Sequence, residues 1–376
     1  MADETTTITA HCLCKAHTFT ATVPKSALPL QASCCHCTSC RRVTGALYSS
    51  AAAWPDPSVD LSQLKRFSFS ENIELFSCQT CSSGLFCMGN ATGNKPWVVT
   101  GALVNGPGVA RYATHMFVGD TLDGGASIWL PREDEDGKPV KRYKQSRRGD
   151  DVEEVPADWP GPKKLSQEQL DAKPSPEVTN LSCFCKGVQL QLRSGADLRS
   201  TPEEDLRRWF VDPQTLKYTG SLECCDSCRL SFGSDLIAWA FAPLSHLAFP
   251  GDSGRSEFPQ TIGALREGVV SSDKDPRLGT LAYYKSSPEI ERYFCSRCSA
   301  SVFYALHDRP DMLDIAVGLL DHPDGARAEG LLKWLDKIGW AQDAAGGWRE
   351  GLGQTAGDLQ QEWAGATGKP LNTSPN

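Results

Sequence analysis

Short apolar segments rich in β-branched and aromatic residues recur along two stretches of the chain, separated by Pro, Gly, Asn and Ser. They fall at residues 5–10, 17–23, 47–54, 65–70, 85–88 and 97–100, and again at 187–192, 236–241, 281–285, 290–294, 301–305 and 313–317. Segments of this length between turn-forming residues are typical of short antiparallel strands. We therefore predict a mainly β protein with an N-terminal unit at residues 6–130 and a C-terminal unit at 177–325.

The segments outside these two units have a different character. Residues 131–176 are charged, proline-rich and poor in aliphatic side chains, which predicts a linker or a loosely ordered segment. Residues 326–376 are expected to be a helical or disordered tail. Its apolar face would pack on the C-terminal unit or on a partner protein. The spacing that predicts this face occurs at Leu331, Leu332, Trp334, Leu335 and Ile338.

Charge and hydropathy narrow the class of protein. The formal net charge of −8 argues against non-specific binding of nucleic acid. The first residues do not resemble a secretory signal, and no apolar run is long enough for a transmembrane helix. We expect a cytoplasmic protein with neither a nucleic-acid nor a membrane partner. Nuclear import through the basic residues of the linker is the alternative location.

Cysteine spacing changes this picture most. In a reducing compartment, clustered cysteines are more readily metal ligands than disulfides. Both units contain a CxC pair, a central cluster followed by Arg, and a CxxC pair, in that order. In the N-terminal unit these are Cys12 and Cys14, then Cys34, Cys35, Cys37 and Cys40, then Cys78 and Cys81. In the C-terminal unit they are Cys183 and Cys185, then Cys224, Cys225 and Cys228, then Cys295 and Cys298.

The CxC and CxxC pairs of each unit together provide four thiolates. Four thiolates make a closed tetrahedral zinc site, which contributes directly to folding energy. We therefore predict two structural zinc sites. They are Cys12, Cys14, Cys78 and Cys81, which we call the N-terminal outer group, and Cys183, Cys185, Cys295 and Cys298, the C-terminal outer group.

The central cluster of the N-terminal unit has a different arrangement. Cys35, Cys37 and Cys40, which we call the loop centre, lie within six residues. Three thiolates on one short loop would hold zinc and leave its fourth position open, as in catalytic zinc sites. A small thiol would enter there as a thiolate, because the metal lowers its pKa.

Three neighbouring side chains are candidates for substrate binding. Arg41 and Arg42 would favour nearby thiolates or bind a substrate carboxylate, unless both are simply exposed. His36 would orient substrate or move a proton, unless it points outward from the loop.

These motifs resemble the glutathione-dependent formaldehyde-activating enzyme and centromere protein V family, as two tandem copies. The resemblance omits the linker and the tail. The residues that carry it are Cys12-x-Cys14, CHCTSCRR at 35–42, CQTC at 78–81 and HMFVGDTLDGGASIWLP at 115–131. In the second copy they are CFC at 183–185, CCDSCR at 224–229 and YYKSSPEIERYFCSRCSASVFY at 283–304.

The resemblance implies a fold and an activity. The fold would be two zinc-binding β-tents, similar to Mss-four, built of short antiparallel sheets. The activity would be that of a carbon–sulfur lyase that joins glutathione and formaldehyde into S-hydroxymethylglutathione. The outer groups would be structural. The loop centre would hold the catalytic zinc, and larger aldehydes or other thiol conjugates are alternative substrates.

The C-terminal unit departs from the family pattern at its central cluster. Glu223 and Cys224 stand where the first Cys and the His of the loop are expected, while Cys225 and Cys228 remain as candidate metal ligands. We therefore expect this unit to be degenerate for catalysis. In both units the glycine expected after the CxxC pair is replaced, by Ser82 and by Ser299.

Two other functions remain open from the sequence. One is a non-catalytic zinc scaffold that binds protein partners, which the degenerate second unit and the tail both favour. The other is a thiol redox or metal sensor that uses Cys34, Cys35, Cys224 and Cys225.

Overall fold

Strands make up most of the regular structure of the protein, in agreement with the prediction from sequence. A computed structural model describes residues 3–89, 93, 95–134, 136–149, 152–172, 174, 176–252 and 257–372. Within these residues the strands form four sheets, of two, nine, four and seven strands. No helix in this part of the chain combines the length and the apolar composition that crossing a membrane requires.

The first half of the chain contains the two-stranded and the nine-stranded sheets. Its strands are β1 (Thr5–His11), β2 (Thr18–Pro24), β3 (Leu30–Cys35), β4 (Ser49–Ala53), β5 (Lys65–Ser70), β6 (Ile73–Ser77), β7 (Gly84–Gly89), β8 (Pro96–Val99), β9 (Ala110–Met116), β10 (Lys141–Tyr143) and β11 (Glu154–Val155). Its helices are α1 (Thr38–Thr44) and α2 (Gln167–Leu170). Strands β1 and β2 pair with each other, and the nine-stranded sheet has the order β11-β10-β9-β3-β4-β8-β7-β6-β5.

The second half contains the other two sheets. Its strands are β12 (Val178–Ser182), β13 (Gln189–Arg193), β14 (Tyr218–Glu223), β15 (Ile237–Pro243), β16 (Leu247–Ala248), β17 (Leu281–Ser287), β18 (Ile290–Cys295), β19 (Ser301–Leu306), β20 (Met312–Ala316), β21 (Leu320–Asp321) and β22 (Leu332–Trp334). Its helices are α3 (Glu203–Arg208), α4 (Asp226–Phe232), α5 (Ile262–Val270) and α6 (Leu352–Thr367). The sheet orders are β16-β13-β12-β21 and β17-β18-β19-β20-β15-β14-β22.

The two large sheets share one order of strands. The run β3-β4-β8-β7-β6-β5 in the first half corresponds to β14-β15-β20-β19-β18-β17 in the second. In each run, the first strand is followed within a few residues by a helix that contains the last cysteine of the central cluster. A further strand lies parallel to that first strand, β9 beside β3 and β22 beside β14. The expectation of purely antiparallel sheets is therefore wrong at these pairs.

Burial explains which strands the sequence revealed. All seven residues of β15 are buried, so its apolar run is continuous. In β1 and β2, buried residues alternate with more exposed ones near the end of each strand. Ten strands lie outside the segments predicted from sequence, among them β3, β6, β9, β12 and β14. In β3 the buried positions hold Leu30, Ala32 and Cys34, which lack the β-branched side chains that signal a strand.

The segment predicted as a loosely ordered linker is in part an extension of the sheet. Strand β10 pairs in parallel with β9 and antiparallel with β11. Arg142, within β10, is buried, and its guanidinium donates to four carbonyl oxygens, those of Ser127, Leu130, Pro131 and Val140, at 2.8–3.1 Å. The prediction of loose order is therefore wrong for these residues, because a buried arginine organises four backbone carbonyls around it.

The tail also differs from the prediction. Residues 332–334, which were expected to lie on a helix, form strand β22 beside β14, and the tail helix begins later, at Leu352. Pairing with an existing strand outweighs the helical spacing of these apolar residues. Asn372 contacts strand β22, because its N–H donates to the Trp334 carbonyl oxygen at 2.8 Å.

The two halves meet backbone against backbone at two equivalent places. Gly45 ends α1 and Gly233 ends α4, both with a left-handed backbone conformation. Gly318 N–H donates to Gly45 O at 2.9 Å, and Gly101 N–H donates to Gly233 O at 3.2 Å. A Cβ atom on Gly318 would lie 2.1 Å from the Ala46 carbonyl oxygen. Glycine at this position therefore allows the close approach of the halves.

Candidate metal and thiol centres

The N-terminal outer group forms a compact set of four sulfur atoms. Cys12 and Cys14 lie in the turn after β1, and Cys78 and Cys81 lie in the turn between β6 and β7. All four sulfurs lie within 4.8 Å of one another, with Cys12–Cys14 at 3.5 Å and Cys14–Cys78 at 3.6 Å. In a tetrahedral site with metal–sulfur bonds of about 2.3 Å, neighbouring sulfurs lie about 3.8 Å apart. The group can therefore hold a metal ion.

The C-terminal outer group has the same geometry. Its members Cys183, Cys185, Cys295 and Cys298 also lie within 4.8 Å of one another. The sulfur–sulfur distances are 3.7 Å for Cys183–Cys185 and 3.5 Å for Cys185–Cys295. All sixteen cysteines, including these eight, are free thiols in the structure, so neither group is a disulfide pair.

The serines that replace glycine after each CxxC pair keep the turn. Ser82 and Ser299 both have left-handed backbone conformations, with φ of 62° and 67°. Such conformations are unfavourable for serine, so both turns are held by their surroundings. The turns contact each other, because the Ser82 hydroxyl donates to the Ser299 carbonyl oxygen at 3.3 Å and the Ser77 and Ser299 hydroxyls lie 2.7 Å apart. The two outer groups are thus connected across the interface between the halves.

The loop centre is formed where β3 passes into α1. Cys35 ends the strand, Cys37 caps the helix N-terminus by accepting from Cys40 N–H at 3.3 Å, and Cys40 lies in its first turn. The three sulfurs lie within 4.8 Å of one another, and all three residues are partly exposed. Hydrogen bonds from Cys35 and Cys40 lower the pKa of Cys37 to about 3. This centre therefore offers three thiol ligands and is accessible from solvent.

Arg41 supports this loop from the inside. It is buried, and its guanidinium donates to the His36 carbonyl oxygen at 3.3 Å, to Thr38 Oγ1 at 3.1 Å and to the Asp120 carbonyl oxygen at 3.5 Å. The alternative that Arg41 is merely exposed is wrong. Its contacts are with the protein, so the geometry favours a role in shaping the loop.

Arg42 lies between the two halves of the chain. Its guanidinium forms an ion pair with Asp321 at 3.0 Å, and its carbonyl oxygen accepts from Phe184 N–H at 2.9 Å. The Arg42 side chain is 23% exposed to solvent, so it is the more accessible of the two arginines. A contact between Arg42 and a substrate carboxylate stays a prediction.

His36 points into the protein. It is completely buried, stacks against Tyr48 and lies 2.9 Å from His115, measured from Nε2 to Nδ1. Burial, with the nearby charges of Arg142 and Arg41, lowers the pKa of His36 to about 3, and burial also lowers the pKa of His115. The alternative of an outward-pointing histidine is wrong. The pair is neutral at pH 7, and contact between His36 and substrate stays a prediction.

The central cluster of the C-terminal unit is arranged differently. Cys228 Sγ lies 3.8 Å from Glu223 Oε2, and Arg292 donates to Cys228 Sγ at 3.7 Å and to Ser227 Oγ at 2.8 Å. Counted back from the CxxC pair, Leu75 is the equivalent of Arg292 in the N-terminal unit. The C-terminal cluster therefore has a guanidinium beside Cys228, whereas the sequence position that matches Arg292 in the N-terminal unit holds a leucine.

Glu223 takes the position of the first loop cysteine without forming a three-ligand group. Burial, together with Asp314 and Cys225, raises the pKa of Glu223 to about 8, so it is largely protonated at pH 7. Within the described part of the chain, no three ligand atoms including Cys225 and Cys228 lie within 4.8 Å of one another. The metal role of these two cysteines stays a prediction.

Sequence reasoning missed three residues that support the two central clusters from distant parts of the chain. His115 contacts His36, Asp120 accepts from Arg41, and Arg292 donates to Cys228. All three lie in segments that carry the family resemblance, at 115–131 and at 283–304, of which the second is the most specific. Their place in these segments is the sequence feature that could have identified them, because no local spacing connects these residues with the cysteines.

Comparison with known proteins agrees with this geometry. Residues 7–120 match the model of the family described as glutathione-dependent formaldehyde-activating enzyme. No curated protein matches the chain, and no solved structure matches it. The matched residues contain the N-terminal outer group and the loop centre. The family resemblance predicted from the cysteine motifs is therefore confirmed for residues 7–120 of this chain.

Proposed function

We propose that the protein is a zinc-dependent carbon–sulfur lyase that acts on glutathione adducts of aldehydes, as in the formation of S-hydroxymethylglutathione. The observation that carries this proposal is the convergence of the Cys35, Cys37 and Cys40 sulfurs on a loop accessible from solvent. Three thiolates with room for a fourth ligand are the arrangement of a catalytic zinc site. Zinc at this centre would supply a Lewis acid and lower the pKa of an incoming thiol.

The reaction requires a thiolate and an aldehyde held together. The sulfur of glutathione forms a bond to the carbonyl carbon, the carbon–oxygen π bond breaks, and the oxygen takes up the proton that the thiol gives up. In the reverse direction the same bond breaks. Arg42 is the accessible cation beside the loop and would hold a carboxylate of glutathione. Arg41 would act as a positioning residue through its contacts with His36 and Asp120.

The two outer groups are proposed to be structural zinc sites. Their sulfur–sulfur distances of 3.5–3.7 Å support this role, because they are close to those of a four-sulfur zinc site. The shared strand order supports a C-terminal unit that is a second copy of the first. Glu223 and Arg292 at its central cluster support a copy that has lost the catalytic centre. The free thiols are consistent with a cytoplasmic location.

The experiment combines metal content and turnover. We would measure zinc per chain by elemental mass spectrometry and the rate of S-hydroxymethylglutathione formation by NMR. The variant is Cys37→Ala, and the matched control is Cys87→Ala, because Cys87 belongs to none of the three cysteine groups. We expect about three zinc ions in the parent protein, about two in Cys37→Ala and about three in the control.

Turnover separates the proposal from the scaffold alternative. Cys37→Ala should lose most of its activity, while Cys87→Ala keeps it. Unchanged turnover of every thiol adduct in a folded Cys37→Ala protein would overturn the enzyme proposal. The tail no longer favours the scaffold alternative, because it packs against the rest of the same chain. The backbone N–H of Trp348, for example, donates to the Gly106 carbonyl oxygen at 3.0 Å.

A further inference from the structure

The central cluster of the C-terminal unit contains a pair of thiols that the proposed reaction does not use. Cys225 is the residue before α4, and Cys228 lies in the first turn of that helix. The two thiols are hydrogen-bond partners. Cys225 is partly exposed, whereas Cys228 is buried. A dissolved reagent can therefore reach the first sulfur, and the second sulfur is reached from the first.

This pair lacks the further ligands that a zinc site requires. Zinc in proteins is held by at least three protein ligands. In the part of the chain that the structure describes, no His, Cys, Asp or Glu completes a three-ligand group with Cys225 and Cys228. Two metal-free thiols with the spacing CxxC, one of them partly exposed, are the arrangement that undergoes thiol–disulfide exchange.

Arg292 supplies a fixed positive charge at this pair. It is buried, and both of its terminal nitrogens donate to Cys228 Sγ at 3.7 Å. One of them also donates to Ser227 Oγ at 2.8 Å, and that hydroxyl lies 3.1 Å from Cys225 Sγ. The guanidinium lies over the Tyr304 ring, 5.0 Å from its centroid. A cation held beside a sulfur stabilises the negative charge that develops on it during exchange.

The surroundings of Cys225 restrict what can approach it. Its neighbour Cys224 is buried under the tail, because a Cβ atom on Gly353 of α6 would lie 3.3 Å from the Cys224 sulfur. On the other side, the Asp226 N–H donates to Asp343 Oδ2 of the tail at 3.0 Å. Tail residues thus contact both sequence neighbours of Cys225. This arrangement favours a small disulfide over the disulfide of another protein.

We propose that Cys225 and Cys228 form a thiol–disulfide exchange site whose substrates are low-molecular-weight disulfides. The Cys225 sulfur bonds to one substrate sulfur, the substrate disulfide bond breaks, and the released thiol takes the proton that Cys225 gives up. The Cys228 sulfur then bonds to the Cys225 sulfur, the mixed disulfide breaks, and the second thiol leaves with the proton of Cys228. The pair is oxidised to a disulfide, and the substrate is reduced to two thiols.

Mass spectrometry on the zinc-loaded full chain tests this proposal, with glutathione disulfide as the probe. After an acid quench, free thiols are alkylated and the peptide that spans residues 224–228 is sequenced. We expect a disulfide between Cys225 and Cys228, with Cys224 alkylated. Cys228→Ser should instead retain one glutathione on Cys225, because the second step is blocked. Cys87→Ser is the matched control, because Cys87 belongs to none of the cysteine groups, and it should react like the parent.

A substitution at Arg292 tests the role of its charge. The matching position of the N-terminal unit holds Leu75, so a fold of this kind accommodates leucine there. Arg292→Leu should slow disulfide formation by roughly ten-fold or more. Arg66→Leu is its control, because the Arg66 side chain is 65% exposed, and it should leave the rate unchanged. Both variants should keep the zinc content of the parent, which shows that they are folded.

The proposal fails on any of three results. One is a parent protein that forms no disulfide between Cys225 and Cys228 with either glutathione disulfide or the uncharged bis(2-hydroxyethyl) disulfide. Another is glutathione retained on Cys225 to the same extent in the parent and in Cys228→Ser. The last is the loss of about one zinc ion from Cys228→Ser, which would make the pair a metal site. These readouts do not depend on lyase turnover, so they stand whether or not the proposed function does.

Discussion

Arg349 of the C-terminal tail and Asp235 of the second half form a buried ion pair, with Arg349 Nε 2.7 Å from Asp235 Oδ1. Both side chains are at most 2% exposed. Asp235 also accepts from Thr100 Oγ1 at 2.6 Å and from the Tyr112 hydroxyl at 2.8 Å, both from the first half. Arg349 further donates to the Leu103 carbonyl oxygen at 3.2 Å. One ion pair thus joins the two halves and the tail.

Loss of this ion pair should destabilise the whole chain. Arg349→Met leaves the Asp235 carboxylate buried without its ion-pair partner, so we expect the free energy of unfolding to fall by about 3 kcal/mol. Urea denaturation measures this change. The control is Arg66→Met, because the Arg66 side chain is 65% exposed in its ion pair with Glu74, and such pairs contribute less than about 1 kcal/mol. Equal effects of the two substitutions would contradict the structural role of Arg349.

The glycine contact between the halves gives a second prediction. Gly318→Ala would place a methyl group 2.1 Å from the Ala46 carbonyl oxygen, so the halves must separate slightly or the backbone must shift. We expect a loss of about 1–3 kcal/mol, measured by thermal unfolding. Gly84→Ala is the matched control, because a Cβ there has no atom within 4 Å. A Gly318→Ala protein as stable as the control would show that the contact adjusts freely.

Glu329 should make stability depend on acid pH. Burial alone would raise its pKa, but Arg327 and Lys369 outweigh burial and lower the pKa from 4.5 to about 2. Because the pKa is lower in the folded state, the ionised carboxylate stabilises the fold above pH 4.5, and this contribution is lost as the pH falls toward 2.

Glu329→Gln tests this dependence by denaturation at several pH values. The variant should be less stable than the parent by about 3 kcal/mol at pH 7, and the difference should shrink below pH 4.5. Glu267→Gln, at an exposed position of α5, should be neutral at every pH. A constant difference between Glu329→Gln and the parent from pH 7 to pH 2 would contradict the assignment.

Metal removal should affect the two kinds of centre differently. Cys183→Ala removes one ligand of the C-terminal outer group, so we expect the loss of one metal ion and a large drop in melting temperature. Cys37→Ala should also lose one metal ion, yet it should melt close to the parent because its loop is partly exposed. Similar melting temperatures for the two variants would argue against a structural outer group.

The sequence predicts the ligand groups better than it predicts their surroundings. The spacing of Cys35, Cys37 and Cys40 is local, so a strand that runs into a helix brings the sulfurs together without further information. The burial of Arg41 depends on Asp120, which lies 79 residues away, and no periodicity in the chain connects them. For the same reason the sequence alone allows His36 to point outward. In the fold it points inward and contacts His115.

Secondary structure was misassigned where tertiary contacts decide it. Leu332 and Trp334 have helical spacing to their apolar neighbours, but β14 offers them an edge to pair with. Arg142 lies in a segment whose charge predicts a linker. The carbonyl oxygens that it binds come close to it only when β10 pairs with β9. Strands in which apolar and polar residues alternate, such as β2, or which are continuously apolar, such as β15, were predicted correctly. In these strands the residue types follow directly from which positions are buried.

The ion pair between Arg349 and Asp235 also constrains how the protein is made. A chain is synthesised from its N-terminus, and its earlier parts begin to fold first. Thr100, Tyr112 and Asp235, which share hydrogen bonds in the fold, are therefore synthesised before the arginine that pairs with Asp235. Until then Asp235 lacks the ion pair that the structure gives it, so the native packing between the two halves is complete only after residue 349 has been synthesised.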